Sequence, residues 1–273
     1  MVYNKFFIRC LGISQDPVTS NYIMIMEFAS LGSLYAYLNN NMTWEERITA
    51  LLDISIGLNT LHNNNLIHQD FHPGNLLFNN QKALLITDFG LCNQTNQSSK
   101  SNDIYGVMPY VAPEVLIGKP YTKAADIYSF GMIMYFVATG CQPFANCAHD
   151  KFLAIRICDG NRPEINEQEA PECYINLMKK CWDSDPSNRP SIFEIEELIR
   201  EFYNEIKYDY DSEFKKQFEK AEEYRNANAL SAGNNQPTTH PQAIYTSRLL
   251  NSFTKDLSKY DSLVIDFTKY VFI

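Results

Sequence analysis

The sequence predicts an α+β fold, in which a small sheet near the N-terminus precedes a larger, helix-rich part. Two short apolar runs, at 6–12 and 22–28, flank a stretch rich in turn-forming residues, which is the pattern of two adjacent strands. Two further apolar runs, at 76–78 and 83–87, surround Asn and Gln residues and predict a second hairpin. Beyond residue 106 the apolar residues recur at helical spacing, so the rest of the fold is predicted to be helical.

Capping signals predict where several helices begin and end. The segments 43–46 and 191–194 fit the capping box, in which a Ser or Thr and a Glu three residues later exchange hydrogen bonds with the backbone. Thr122 opens a strongly apolar helix that Gly140 ends, and we expect this helix to be buried on most sides. Further helices are predicted at 148–158, 171–182 and 212–230.

Changes in composition divide the chain into three parts. Residues 1–32 hold the first pair of strands, and residues 33–208 hold most of the predicted helices. Residues 209–273 contain a charged helix candidate followed by Asn, Gln, Thr and Pro, with little apolar surface to bury. We therefore predict a domain boundary near residue 210 and a weakly ordered, solvated C-terminal tail.

The overall composition excludes several classes of function. The 273 residues carry a formal net charge of −9, whereas nucleic acids and anionic membranes are bound by clustered Lys and Arg, so neither is expected as a partner. The seven Cys residues form no Cys-x-x-Cys pair, which favours reduced thiols over a metal site. The most apolar helix candidate, 130–138, has about half of the ~20 residues that span a bilayer. We predict a cytoplasmic protein.

Three short segments carry the residues with chemical potential, and they are 68–75 (HQDFHPGN), 88–90 (DFG) and 112–114 (APE). Transfer of a phosphoryl group from ATP needs an oriented hydroxyl and metal ions that neutralise the phosphate oxygens. Two carboxylates and an amide provide these functions. Asp70 is placed to accept the hydroxyl proton, and Asn75 and Asp88 are placed to hold Mg²⁺.

From about residue 3 to residue 206 the chain resembles the protein-kinase catalytic domain of the tyrosine-kinase-like group, and in particular the expanded fungal sets of such proteins. The three segments carry this likeness, together with Asp126 in DIYSFG and Arg189 in NRPS. The resemblance implies a protein-kinase-like fold with a helix-rich C-lobe and a partial, two-strand N-lobe. It also implies ATP and Mg²⁺ as cofactors and a protein as the substrate or signalling partner.

The resemblance assigns nucleotide-binding roles to particular residues. Met26 is implied as the gatekeeper, residues 27–29 as the hinge whose backbone bonds adenine, and Leu77 as the floor of the adenine site. The full set implied at the nucleotide is Met26, Glu27, Phe28, Ala29, Ser33, Leu77, Thr87 and Asp88.

Catalytic and structural roles follow from the same resemblance. The implied catalytic residues are Asp70, His72 and Asn75, and the implied metal ligands are Asn75 and Asp88. Glu114 is expected to pair with Arg189, and Asp126 is expected to hold the catalytic loop through backbone N–H groups.

Three positions depart from the pattern of the family. Gln69 replaces the usual Arg before the catalytic Asp, so no guanidinium is available there to bind an activating phosphate. His72 stands where many serine/threonine kinases carry Lys, and Val107 stands where they commonly carry Thr. The sequence therefore leaves open whether Ser/Thr or Tyr is the acceptor.

No glycine-rich phosphate loop, Lys-bearing strand or Glu-bearing helix precedes the first strand. Each positioned cation or donor of this kind is worth ~10²-fold to 10³-fold in rate, so we expect impaired transfer by a chain with a truncated N-lobe. Two alternatives stay open, namely a non-catalytic, pseudokinase-like binding module and a fragment of a longer active kinase. The two strands are also expected to expose an apolar patch that attracts a partner, formed by Phe6, Phe7, Ile23 and Ile25.

Overall fold

Short strands border a helical body in the computed structural model of the chain, which describes residues 5–38, 42–94, 103–208, 212–232, 239–255 and 257. The strands are β1 (Cys10–Gln15), β2 (Tyr22–Met26), β3 (Gly32–Ser33), β4 (Leu66–Ile67), β5 (Leu76–Phe78), β6 (Leu84–Ile86), β7 (Asn93–Gln94), β8 (Tyr105–Gly106) and β9 (Arg248–Leu249). The helices are α1 (Leu34–Tyr37), α2 (Trp44–Asn63), α3 (Pro113–Leu116), α4 (Lys123–Thr139), α5 (Lys151–Cys158), α6 (Glu172–Cys181), α7 (Ile192–Lys207), α8 (Glu213–Ala232) and α9 (Asn251–Thr254). The predicted α+β class is confirmed.

The first hairpin lies later in the chain than the apolar pattern predicts. β1 pairs with β2 in antiparallel register, but the prediction of a strand over 6–12 is wrong in its first half. The Ile86 N–H donates to the Phe6 carbonyl over 2.8 Å, and the Ile8 N–H donates to the Ile86 carbonyl over 3.0 Å. Because Ile8 is buried, this part of the apolar run attaches the hairpin to β6 and to the body.

The surface of the hairpin is apolar and open. Ile23 and Ile25 are 47% and 46% exposed, which confirms their place in the predicted apolar patch. Phe6 and Phe7 are partly buried, so their assignment to the patch is wrong. Phe7 packs edge-on against Phe89, with the ring centroids 5.5 Å apart. A partner for this surface stays a prediction.

The helical body forms as its capping signals predict. Thr43 and Glu46 exchange side-chain and backbone hydrogen bonds at the start of α2, and Ser191 and Glu194 do the same at the start of α7. α4 ends at Gly140, whose φ of +70° gives the left-handed cap that glycine adopts without steric cost. Nearly every side chain of α4 is buried, so this helix is the centre of the core.

No disulfide joins the seven Cys side chains, all of which lie in the described ranges, and the reduced state stays a prediction. Cys181 is buried, Cys10 is exposed, and the other five are partly buried. Within the described ranges, no helix combines the length and the apolarity that crossing a membrane requires.

The charged helix predicted at 212–230 is present as α8, and it docks on the body. Phe218 and Ala221 enter the core, and the Phe218 ring meets the Trp44 ring edge-on at 5.7 Å. Glu222 accepts a hydrogen bond from the Trp44 N–H over 2.9 Å. The predicted domain boundary falls at 209–211, outside the described residues, and stays a prediction.

Residues 239–255 also lie against the body. β9 pairs with β8 in antiparallel register, and Leu250 is completely buried. The prediction of a solvated tail is therefore wrong for these residues. The prediction failed because a few apolar side chains in this polar stretch pack against the body, and composition alone does not reveal such packing.

Candidate active site

The loop 68–75 takes its shape from Asp126 in the first turn of α4. The Asp126 carboxylate accepts the His68 N–H over 2.9 Å and the Gln69 N–H over 3.0 Å, and it lies 2.9 Å from Nε2 of His62. Gln69 has a φ of +70°, a left-handed conformation that non-glycine residues keep only where the surroundings hold them. The role expected for Asp126 is confirmed.

Replacing Asp126 with Asn is expected to lower the free energy of unfolding by about 1–3 kcal/mol. The amide nitrogen takes the place of one acceptor oxygen, so a buried group of the loop loses its hydrogen bond. Urea denaturation measures the change. Asp159→Asn, which alters an exposed carboxylate after α5, is the control and should change little. A midpoint for Asp126→Asn equal to that of the wild type would contradict the role of this carboxylate.

Asp70 is buried within the loop. The Asn75 side chain donates from Nδ2 to the Asp70 carbonyl over 2.9 Å. Nδ1 of His72 accepts the Gly74 N–H over 3.1 Å, which leaves Nε2 as the proton-bearing nitrogen, 3.7 Å from Oδ1 of Asp70. Burial raises the pKa of Asp70, but the nearby His72 imidazole, the Ser247 hydroxyl and the His68 imidazole outweigh burial and hold the pKa below its usual value. Asp70 is thus an ionised carboxylate at neutral pH.

The hairpin of β5 and β6 brings Asp88 to the same loop. The Thr87 N–H donates to the Asn75 carbonyl over 3.0 Å, and Nε2 of His68 lies 3.0 Å from the Thr87 carbonyl. Asp88 follows directly with a φ of +60°, and its exposed carboxylate accepts the Gly90 N–H over 3.3 Å. The structure therefore collects a buried carboxylate, an amide and an exposed carboxylate at one end of this hairpin.

Comparison with known proteins gives this arrangement its family. A family model described as "Protein kinase domain" matches residues 2–202, which is most of the chain. The chain belongs to the protein kinase family. The helix-rich body of this kinase and the order of its motif segments agree with that placement.

Curated relatives of this kinase come from several organisms. It is 30% identical to "Serine/threonine-protein kinase STY17" of Arabidopsis thaliana, over 68% of the chain and 33% of that protein. It is 31% identical to "Serine/threonine/tyrosine-protein kinase HT1" of the same plant, over 66% and 47%. It is 29% identical to human "Receptor-interacting serine/threonine-protein kinase 1", over 82% and 36%. The chain thus spans between about a third and a half of these relatives, and their type confirms the tyrosine-kinase-like group.

The residues predicted at the nucleotide fall into two groups in this kinase. Ser33 on β3 pairs with Leu77 on β5, and Thr87 follows β6 of the same sheet, next to Asp88. The Ser33 hydroxyl accepts the Ala36 N–H over 3.3 Å, so it also caps α1.

The second group lies at and after the end of β2. Met26 is 47% exposed and pairs with Cys10, the Glu27 N–H donates to the Arg9 carbonyl over 2.8 Å, and Phe28 is 85% exposed. The Ala29 carbonyl accepts the Gly32 N–H over 3.2 Å. The turn at 29–32 joins this group to the group on the sheet, which begins at Ser33. Among the described residues, no hydrogen bond links Met26, Glu27 or Phe28 directly to the group on the sheet.

The segment that holds Ala112-Pro113-Glu114 is anchored by a buried ion pair. Nη1 and Nη2 of Arg189 lie 2.7 Å and 2.8 Å from the two carboxylate oxygens of Glu114. Arg189 also donates to the Ala124 and Asp183 carbonyls. The pairing that the resemblance implies is confirmed, and Val107 in the same segment is buried.

The buried side chain of His68 makes the stability of the folded protein depend on pH. Its ring is fully buried, and Nδ1 has no hydrogen-bond partner in the part of the chain that the structure describes. Burial lowers the pKa of His68, against the raising effects of Asp126, the Thr87 carbonyl and Asp70, and His72 adds to the lowering.

We expect the free energy of unfolding to fall as the pH drops below about 6.5, the ordinary pKa of His, because the unfolded chain then binds a proton that the folded ring resists. Urea denaturation near pH 7.5 and near pH 5 measures the effect. His68→Gln should reduce the difference, while burial of His149, which lowers its pKa too, sustains the remainder. His240→Gln is the control and should keep the full difference. A wild-type midpoint that is the same at both pH values would contradict this prediction.

Sequence reasoning missed Ser247, which acts on the buried carboxylate from the C-terminal segment. The Ser247 hydroxyl is one of the groups that hold the pKa of Asp70 below its usual value. The only local signal was the pair Leu249-Leu250 in a polar stretch, which is too short to predict a strand.

Proposed function

We propose that this kinase binds ATP with Mg²⁺ and transfers the γ-phosphoryl group to a hydroxyl of a protein, with Asp70 as the general base. The observation that carries the proposal is the state of Asp70, a buried carboxylate whose pKa is held low and whose backbone carbonyl is bonded by the Asn75 side chain. A group of this kind accepts the proton of an attacking hydroxyl when it lies within hydrogen-bond reach.

The donor set suits Mg²⁺. Magnesium prefers oxygen ligands, and it commonly takes one or two from the protein and the rest from water and phosphate. Asp88 offers an exposed carboxylate, and the amide of Asn75, which donates from its nitrogen to Asp70, turns its oxygen the other way. When bound, Mg²⁺ neutralises the phosphate oxygens.

The remaining predicted residues supply the nucleotide site in this proposal. The backbone of residues 27–29 binds the adenine, Met26 and Leu77 border it, and Ser33 and Thr87 lie beside it on the sheet. Phe28 and Met26 leave apolar surface exposed on this side, which an adenine ring covers.

We expect the 273-residue chain to transfer slowly. Its sequence has no glycine-rich loop, and His72 stands in the place of a phosphate-steadying Lys. The alternative of a purely non-catalytic binding module predicts no phosphoryl transfer that depends on Asp70. The two alternatives are therefore separated by a transfer assay with Asp70→Asn, whereas nucleotide binding tests the site that both could keep.

Titration calorimetry of ATP, with and without Mg²⁺, tests the proposal. We expect weak binding that requires Mg²⁺ and that Asp88→Asn weakens by roughly tenfold, the weight of about one charge-assisted contact. Asp159→Asn removes an exposed carboxylate after α5 and is the matched control, with unchanged affinity. An absence of ATP binding, or an Asp88→Asn protein that binds MgATP as the wild type does, would overturn the proposed nucleotide site.

A further inference from the structure

The segment 239–255 makes specific contacts with residues 104–106 and 143–149 of the body. It is fixed at its start by backbone hydrogen bonds from His240 to Ala145 (2.8 Å) and from His149 to Gln242 (3.0 Å). Further on, the Ile244 N–H donates to Nδ1 of His149 over 3.1 Å. Such a set of paired backbone and ring groups fixes the register of a docked segment.

One aromatic side chain and one cationic side chain of the segment, Tyr245 and Arg248, make further contacts with the body. The Tyr245 hydroxyl donates to the Pro143 carbonyl over 2.9 Å, and its ring meets the His149 ring edge-on at 4.8 Å. Arg248 donates to the His149 carbonyl over 2.7 Å and lies over the Phe253 ring at 4.7 Å.

Beyond Ser247 the segment becomes a strand on the edge of the body. Arg248 and Leu249 form β9, which pairs with Gly106 and Tyr105 of β8. The Leu250 N–H donates to the Ile104 carbonyl over 2.7 Å, and the Leu250 side chain is completely buried. Addition of a strand with one side chain in a pocket is a general way of binding an extended peptide.

This pairing carries Ser247 to Asp70. Gly106 passes so close that a Cβ there would lie 3.6 Å from Oδ1 of Asp70, and Gly106 is the partner of Arg248, the next residue after Ser247. The register of β9 therefore brings the backbone of Ser247 to the part of β8 that lies against the carboxylate, and the Ser247 hydroxyl is among the groups that lower the pKa of Asp70. The Ser247 residue remains exposed, so its hydroxyl is open to a second reactant.

We propose that residues 244–250 occupy the groove that binds acceptor peptides, and that Ser247 is the hydroxyl that this kinase phosphorylates in cis. This inference rests on the proposed function and names its substrate class, an extended peptide with a serine followed three positions later by a leucine. The Ser247 oxygen bonds to the γ-phosphorus of ATP, and the bond from that phosphorus to the β–γ bridging oxygen breaks. ADP leaves with the electron pair, and the hydroxyl proton passes to the Asp70 carboxylate.

A slow catalyst favours this acceptor over any in solution. A hydroxyl already held at the base reacts with an effective concentration far above that of a free peptide. After transfer, the phosphate dianion stands beside the Asp70 carboxylate, and like charges at this distance disfavour the docked segment. The modification thus also opens the groove.

Mass spectrometry of the full chain after incubation with ATP and Mg²⁺ tests the modification. We expect phosphate at Ser247, formed with a rate constant that does not depend on protein concentration. The Ser247→Ala protein should incorporate at least about tenfold less phosphate than the wild type. The Asp70→Asn protein should show a reduction of the same kind. Ser252→Ala removes an exposed serine hydroxyl outside residues 244–250 and is the matched control, with full incorporation. Incorporation that stays unchanged in Ser247→Ala, or that grows with protein concentration, would overturn phosphorylation in cis.

Peptide binding tests the groove without requiring turnover. A fluorescent peptide with the sequence of residues 240–255 should bind Arg248→Ala and Leu250→Asp proteins at least about tenfold more tightly than the wild type, because these changes release the internal segment. Arg248 is only partly buried, so its replacement leaves the fold intact should Leu250→Asp unfold the chain. Equal binding by wild type and Arg248→Ala would show that the segment does not cover this groove.

The combined outcomes separate the inference from the proposed function. Phosphate on an added serine peptide by Arg248→Ala, with none on Ser247 in the wild type, keeps the kinase activity and overturns Ser247 as the acceptor. Phosphate on neither counts against both, and the peptide binding then still decides what occupies the groove.

Discussion

Asp70→Asn is expected to lower the rate of phosphoryl transfer by about 10²-fold to 10⁴-fold, the usual contribution of a positioned general base. The asparagine amide keeps the shape of the side chain but accepts no proton at neutral pH. The carboxylate that it replaces is buried and ionised, and it lies 3.7 Å from Nε2 of His72. Removal of this acceptor therefore affects the transition state directly, and the loop shape, which Asp126 sets through the His68 and Gln69 N–H groups, is retained.

Initial rates of labelled phosphate transfer to a serine peptide measure the effect, with MgATP affinity measured on the same preparations. We expect the affinity of Asp70→Asn to stay close to that of the wild type, so that the loss belongs to the chemical step. Asp159→Asn, which lies outside the proposed site, should keep the wild-type rate. An Asp70→Asn protein with wild-type turnover would show that another group accepts the proton.

Local signals predicted the helical body well. The capping boxes at Thr43 and Ser191 and the C-cap at Gly140 depend on residues within one turn of each other. The interacting residues are therefore neighbours in the sequence, and the caps can be predicted from it. The catalytic loop was also readable, because Asp70 and Asn75 lie five residues apart and bond to each other directly.

Pairing between segments that lie far apart in the chain could not be predicted from the sequence. Ile104 accepts the Leu250 N–H and donates to the Asn251 side chain, across a separation of 147 positions for the latter pair. Nothing in the composition of a polar tail indicates which edge it meets, and a strand of two residues is too short for a pattern. The pairing of residues 6–8 was equally unpredictable from the sequence. Their apolar character predicted a strand of the first hairpin, whereas in the structure Phe6 and Ile8 form backbone hydrogen bonds with Ile86 of β6.

The largest stability effect is expected at the buried ion pair. Glu114→Ala should lower the free energy of unfolding by about 3–5 kcal/mol, because it leaves the guanidinium of Arg189 uncompensated in the core. The Arg189 side chain is 0% exposed, and both of its terminal nitrogens bond to Glu114. The remaining carbonyl partners, on Ala124 and Asp183, satisfy hydrogens but do not balance the charge.

Urea denaturation of single and double variants isolates this effect. Glu219→Ala removes an exposed carboxylate that forms an i,i+4 pair with the partly buried Lys215 on α8, and it should leave the free energy of unfolding nearly unchanged, because solvent screens the carboxylate. The double variant Glu114→Ala with Arg189→Met should be more stable than Glu114→Ala alone, since the unpaired charge is then gone. If the double variant is the less stable of the two, the cost comes from lost packing and not from the buried charge.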